Sequence, residues 1–262
     1  MNVQEDGTAM TFWEHLEVLR GVLWRSLLAV LCGSVVLFVA KGWLFRWILA
    51  PCSSDFLTYR WLSAAAGGFG TADGAGAFDA FTLRLISTEL SAQFQIHLTT
   101  AFEGGILLAS PYVLYQLFGF IAPALYDRER RLAYVVLPVA YLLFLVGIVV
   151  NYYILFPVAL HFLASYRVSD AVANVITLSS YMSTFSSMTL TVGLIFELPV
   201  VLWLLGKMGF VTSGVLRRYR RHALVGIMIL AATVTPPDIC TMLLVTVPLY
   251  MLYEASIHVV PK

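Results

Sequence analysis

Apolar residues gather into runs that each read as one unit. Runs at about 22–44, 96–118, 132–154 and 182–205 have the length that a helix needs to cross a hydrocarbon core, roughly 20 residues for about 30 Å. Two shorter runs follow, 222–234 and 240–259, separated by Thr235-Pro236-Pro237-Asp238. Proline has no amide donor and clashes with the preceding turn, so this tetrapeptide ends one helix. Asp238 is placed to cap the next by accepting its free amides. The pattern predicts an all-α, polytopic membrane protein with six transmembrane helices, the last two short and folded back as a hairpin. The Gly- and Ala-rich stretch 64–80, within an external loop of about 50–94, reads as a flexible insertion in a single membrane domain spanning 1–262.

Composition agrees: only 12% of the residues are charged and 60% are hydrophobic, against about 25% charged in a soluble domain. The net charge of +1 conceals an asymmetry. Arg20 and Arg25 lie by the first run, Arg128, Arg130 and Arg131 between the second and third, and Lys207, Arg217, Arg218, Arg220 and Arg221 between the fourth and fifth. The alternate loops hold Lys41, Arg46, Arg60 and Arg84, offset by Asp55, Asp73, Asp79 and Glu89, and then Arg167. By the positive-inside rule the first set is cytoplasmic, and an even number of spans puts both termini there. Residues 1–10 include Glu5 and Asp6 and lack an apolar core, so they do not read as a cleavable signal.

Cys32 sits in an apolar run, and Cys52 and Cys240 near helix ends, without metal-ligand spacing or a catalytic partner. They read as structural, and neither a metal, a cofactor nor a nucleic-acid partner is expected. Gly-x-Ser-x-Gly and His-Glu-x-x-His are both missing, so an intramembrane enzyme is not expected.

The segment Pro111-Tyr112-Val113-Leu114-Tyr115-Gln116-Leu117-Phe118-Gly119-Phe120-Ile121-Ala122-Pro123-Ala124-Leu125-Tyr126-Asp127-Arg128-Glu129-Arg130-Arg131 closely resembles the first cytoplasmic loop of the TatC subunit of the twin-arginine protein translocase. Phe196-Glu197-Leu198-Pro199 is similar to that family's fourth-helix motif. Thr235-Pro236-Pro237-Asp238 and Pro248-Leu249-Tyr250-Met251-Leu252-Tyr253-Glu254 resemble its last hairpin, and His15-Leu16-Glu17-Val18-Leu19-Arg20 its N-terminal motif. The blocks follow the family's order. Val18 stands where the family usually has Glu, with Glu17 adjacent, and Met242 where a Gln is usual.

The resemblance implies a receptor for twin-arginine signal peptides and the core scaffold of a translocase that exports folded proteins across the bacterial cytoplasmic membrane. It implies single-span TatA- and TatB-type partners, a multi-copy complex and energy from the proton-motive force. Glu129 would accept the forked donors of an arriving arginine. Phe120, Pro123 and Tyr126 would form an apolar shelf for the signal's hydrophobic residues, with Glu17 and Arg20 in the same site. The bland reading of Glu129 is a solvated loop carboxylate paired with its own arginines.

Glu197 lies ten residues before Lys207, about 15 Å along a helix, and is therefore deep in the membrane. A charge there is costly, so this carboxyl must be neutral, paired or open to water, and Pro199 favours a bend beside it. Glu103 is a second intramembrane carboxyl, outside any family motif, and reads as a structural hydrogen-bonding group. The two together motivate the alternative, a proton-coupled small-molecule transporter. The lack of internal repeats counts against it.

Overall fold

The computed structural model describes residues 12–68, 83–121, 127–166, 169, 174–235 and 238–260. Eleven α-helices carry them: α1 (Phe12–Val39), α2 (Lys41–Ile48), α3 (Leu57–Gly68), α4 (Ala92–Ile121), α5 (Asp127–Val150), α6 (Phe156–Ser165), α7 (Leu178–Ile195), α8 (Leu198–Lys207), α9 (Ser213–Arg218), α10 (Arg220–Val234) and α11 (Ile239–Val259). A π-helical segment, Asn151–Leu155, joins α5 to α6. The described residues contain one isolated parallel bridge, Ile86 to Thr177, and are otherwise helical or irregular.

Among the described residues, four helical stretches are long and apolar enough to cross a membrane: His15–Val39, Val136–Ser165, Leu178–Lys207 and Ile239–Val259. The second expected span is the 30-residue α4, about 45 Å long, whose first half carries Gln93, Gln95, His97, Thr99, Thr100 and Glu103. The fifth is α10, 15 residues and about 22 Å, short of a bilayer core, whereas the sixth, α11, expected to be short as well, has 21 residues and is long enough to span. The first run also divides differently from its expected bounds. Helix α1 starts ten residues earlier and stops at Val39, and Ala40 (φ −84°, ψ 27°) begins the separate α2. Leu44 and Ile48 of α2 turn inward while Trp43 and Trp47 stay exposed, an amphipathic pattern that hydropathy alone merges with the span before it.

Helices α1 and α4 run antiparallel in contact over most of their lengths. His15 stacks on Phe120 (centroids 4.3 Å apart), Gly33 approaches Gly105, and Phe38 stacks on His97 at 4.1 Å. The approach at the middle requires glycine. A Cβ on Gly105 would lie 2.7 Å from the Ser34 amide nitrogen and 2.8 Å from the Val30 carbonyl oxygen. Without a hydrophobic drive between helices in lipid, such close packing of small residues is what holds them. Between α5 and α7 the fit is reciprocal: Phe196 fills the space over Gly147, and Phe144 the space over Gly193. Both phenylalanines are buried.

Within 50–94, Ala50–Cys52 forms a 3-10 turn and Leu57–Gly68 the helix α3, while 69–82, most of the Gly/Ala-rich stretch, lies outside the described residues. This cap and the α2 helix that leads into it are tied to the bundle by hydroxyls that donate to backbone carbonyls. Tyr59 bonds Pro51 (3.0 Å) and Pro157 (3.2 Å), Tyr181 bonds Ile48 (2.6 Å), Tyr152 bonds Trp47 (2.7 Å), and Thr58 bonds Tyr153. Cys52 lies in the cap, where burial pushes its thiol pKa up. Cys32, Cys52 and Cys240 are all free.

Asp238 caps α11 as expected: its Oδ1 accepts the Thr241 amide at 2.7 Å and its Oδ2 the Thr241 hydroxyl. Pro236 and Pro237 lie outside the described residues. At the far end of this hairpin Arg220 pairs with Glu254 at 2.8 Å, and the Tyr253 hydroxyl donates to the Leu216 carbonyl.

Candidate functional site

The antiparallel pairing of α1 and α4 brings two distant motifs together. His15 belongs to the N-terminal motif and Phe120 to the loop motif, and their rings stack with an interplanar angle of 24°. Glu17 lies two residues beyond His15, about 3 Å along α1. Glu17 and Arg20 are 4.0 Å apart with side chains 76% and 73% exposed. An exposed pair of this kind contributes little to stability, so both charges are available to another partner. Glu17, Val18, Gly21, Val22 and Arg25 line a shallow cleft of about 490 Å³ on the same face.

Phe120 is half-buried in the last turn of α4, and Glu129 sits in the first turn of α5. The two helix ends are joined by 122–126, so Pro123 and Tyr126 lie outside the described residues, as does the side chain of Glu129. Among the expected signal-site residues, the described structure therefore brings Phe120 to the end of the molecule that holds Glu17 and Arg20.

Glu197 occupies a break. The α7 helix ends at Ile195, Phe196 and Glu197 form a turn, and Pro199 stands in the first turn of α8. The Glu197 carbonyl accepts both the Val200 and the Val201 amides at 3.0 Å. Proline fits there because it has no donor to lose at a helix start. The helix is interrupted at Phe196–Glu197, just before Pro199, and Glu197 Oε1 is buried without a hydrogen-bond partner.

Glu103 is half-buried on α4 and accepts the hydroxyl of Ser186 on α7. A hydrogen bond was expected of it, but its donor lies 83 residues away and no local signal marks it. Sequence reasoning also missed Asn151. It is fully buried at the start of the π-helical segment, donates to Thr189 Oγ1 at 2.9 Å and leaves its Oδ1 unpartnered. Single π turns inside α-helices accompany functional sites often enough to mark this place.

The deciding comparison is with protein families. The model of the family "Sec-independent protein translocase protein (TatC)" matches residues 14–248. The chain belongs to the TatC family. It is 33% identical over 258 residues to the TatC of Blattabacterium sp. subsp. Periplaneta americana, covering 98% of this chain and 97% of that one. It is 33% identical to TatCy of Bacillus subtilis over 248 residues, 95% of this chain and 87% of that one. Two crystal structures described as the twin arginine translocase receptor TatC superpose with TM-scores of 0.77 and 0.74. Their identities are 28% and 30%; they cover 95% and 94% of this chain, which in turn covers 100% and 97% of theirs.

TatC membership makes this a helical, multi-pass membrane protein of a protein-transport system, by name a translocase component rather than an enzyme. The translocase reading displaces that of a small-molecule transporter.

Proposed function

We propose that this chain is the signal-peptide receptor and core scaffold of a twin-arginine translocase in the bacterial cytoplasmic membrane. The observation that carries the reading is the His15–Phe120 stack, which gathers the N-terminal and loop motifs at one end of the α1–α4 pair. There Glu129 accepts the guanidinium donors of the arginine pair, with Glu17 and Arg20 flanking it. Phe120, with Pro123 and Tyr126, receives the apolar residues that follow. Family members are named as translocase proteins, and two solved relatives are described as receptors.

In this reading α4 and α10 cross the membrane as well, giving six spans with both termini cytoplasmic. In the polar first half of α4, Thr100 is buried and His97 and Glu103 are half-buried against the neighbouring helices, and the short α10 is accommodated by local thinning of the bilayer. Single-span TatA- and TatB-type subunits assemble with several copies of the chain, and the proton-motive force drives transport. Glu197 acts after recognition, at the bend of a concave face that admits a passing segment.

A photo-reactive residue at Val18, in the cleft beside Glu17, tests the proposal. A twin-arginine precursor should crosslink there in native membranes. A precursor that crosslinks equally well when its signal is deleted, or not at all, would contradict the assigned face.

A further inference from the structure

Two polar stripes face each other across an open cleft in an otherwise apolar bundle, with Gln95, Thr99, Ser179 and Ser183 exposed and Ser186 and Glu103 half-buried at its inner end. On α7, Ser179, Ser183 and Ser186 recur at i, i+4 and i+7, and on α4 Gln95, Thr99 and Glu103 recur at i, i+4 and i+8, each set on one helix face. Both stripes line a single cleft of about 400 Å³. Its exposed mouth is at Glu89, just before α4, and Glu103 lies about 16 Å further along that helix.

Two apolar clefts meet the polar one at Glu103. The first, of about 440 Å³, runs between α2, α4, α5 and α7 past Trp43 and Trp47; the second, of about 670 Å³, follows Leu31, Val35 and Phe38 between α1 and α4. Among the described residues lining the three clefts, the other titratable groups are Glu89, Tyr152 and Tyr153, and there is no Lys, Arg or His. His97, on the same helix, stacks on Phe38 at the edge of the second cleft and its Nε2 lies 3.1 Å from the Phe38 carbonyl oxygen, but it lines none of the three clefts. Lining residues therefore supply no counter-cation for a carboxylate at Glu103.

A carboxyl at membrane depth with no cation must be neutral or reach water. The serine and threonine hydroxyls supply the two to four partners that an internal water needs, and the cleft has room for several. We infer that Glu103 is a protonation site served by water through the hydroxyl-lined cleft between α4 and α7, from the side of the membrane that holds α3. The irregular segment before α4 is fixed to that side, since the Leu83 amide donates to the Cys52 carbonyl and Ile86 pairs with Thr177. A proton bound at Glu103 leaves the junction of the two apolar clefts uncharged, and its release places a negative charge there. The proton activity on the α3 side thus sets what this junction accepts.

The test uses the full chain with Cys32, Cys52 and Cys240 changed to Ser, in sealed vesicles of each orientation. A charged, membrane-impermeant methanethiosulfonate is added to Ser183→Cys, to Arg60→Cys as the marker of the α3 side, and to Leu108→Cys as the lipid-facing control. Ser183→Cys should label from the same side as Arg60→Cys, while Leu108→Cys stays unlabelled. Because the marker defines the side, the result does not depend on which side is cytoplasmic or on the receptor reading. In parallel, infrared difference spectra between acid and neutral pH should contain a protonated-carboxyl band that Glu103→Gln removes. Absence of Ser183→Cys labelling where Arg60→Cys reacts, labelling from the opposite side, or a pH-dependent spectrum unchanged by Glu103→Gln would each overturn the inference.

Discussion

At the residue scale, single groups act here through what surrounds them. Gly105 has backbone atoms of α1 where its side chain would be. Gly105→Ala should therefore push α1 from α4 and cost about 1–3 kcal/mol, the usual penalty for overpacking, read as a lower unfolding temperature in detergent. Glu197 carries the opposite tension, since its Oε1 is buried without a partner. A buried unsatisfied polar group costs about 1–3 kcal/mol, so Glu197→Leu should raise thermal stability while export of folded cargo falls. Glu197→Ala should impair export more than first contact with a signal peptide, with Glu197→Gln milder. If export by Glu197→Leu and Glu197→Ala proceeds at the native rate in cells holding no other copy, the carboxyl only packs.

Elements were legible where their cause is local. Asp238 could be read as a cap because the chemistry needs only the next three residues, and the structure bonds it to Thr241. The helix interruption at Glu197 has Pro199 beside it in the same way. Tertiary causes left no comparable trace. The close approach of Gly33 and Gly105 depends on which helices become neighbours, and although Pro157 just beyond the π-helical segment denies the Tyr153 carbonyl its helical amide, nothing local sets Asn151 against Thr189. The cap over the bundle was hidden for the same reason: Tyr181 reaches the Ile48 carbonyl across 133 residues. Tyr181→Phe leaves that carbonyl unpaired in a buried place, so it should cost about 1–3 kcal/mol. The matching observation is faster proteolysis within 50–94 at equal expression. Native cleavage rates would mean that other contacts hold the cap.

The whole molecule combines a fold that family membership establishes with an orientation that the charges imply. Lys207, Arg217, Arg218, Arg220 and Arg221 cluster around α9 and the start of α10, and Arg20 and Arg25 lie in the first half of α1. Reporter fusions after Arg218 and at the C-terminus should both read as cytoplasmic, and an external reading from either would remove the six-span topology. In that topology the His15–Phe120 stack faces the cytoplasm, where a signal peptide arrives, and the cleft to Glu103 opens on the other side. Recognition and proton exchange are then separated across the membrane.

The receptor account is tested most directly at Glu129. Glu129→Gln keeps the size and removes the charge, so one charge-assisted hydrogen bond is lost, worth about 1.5–3 kcal/mol, or roughly 10-fold to 150-fold in affinity. The measurement compares crosslinking of an Arg-Arg signal and a Lys-Lys signal to the native chain and to Glu129→Gln, in membranes with equal amounts of protein. The account predicts a preference for Arg-Arg in the native chain that collapses in the variant. A native preference that Glu129→Gln retains in full would contradict it and pass the role to other carboxylates at that end, Glu17 or Glu14.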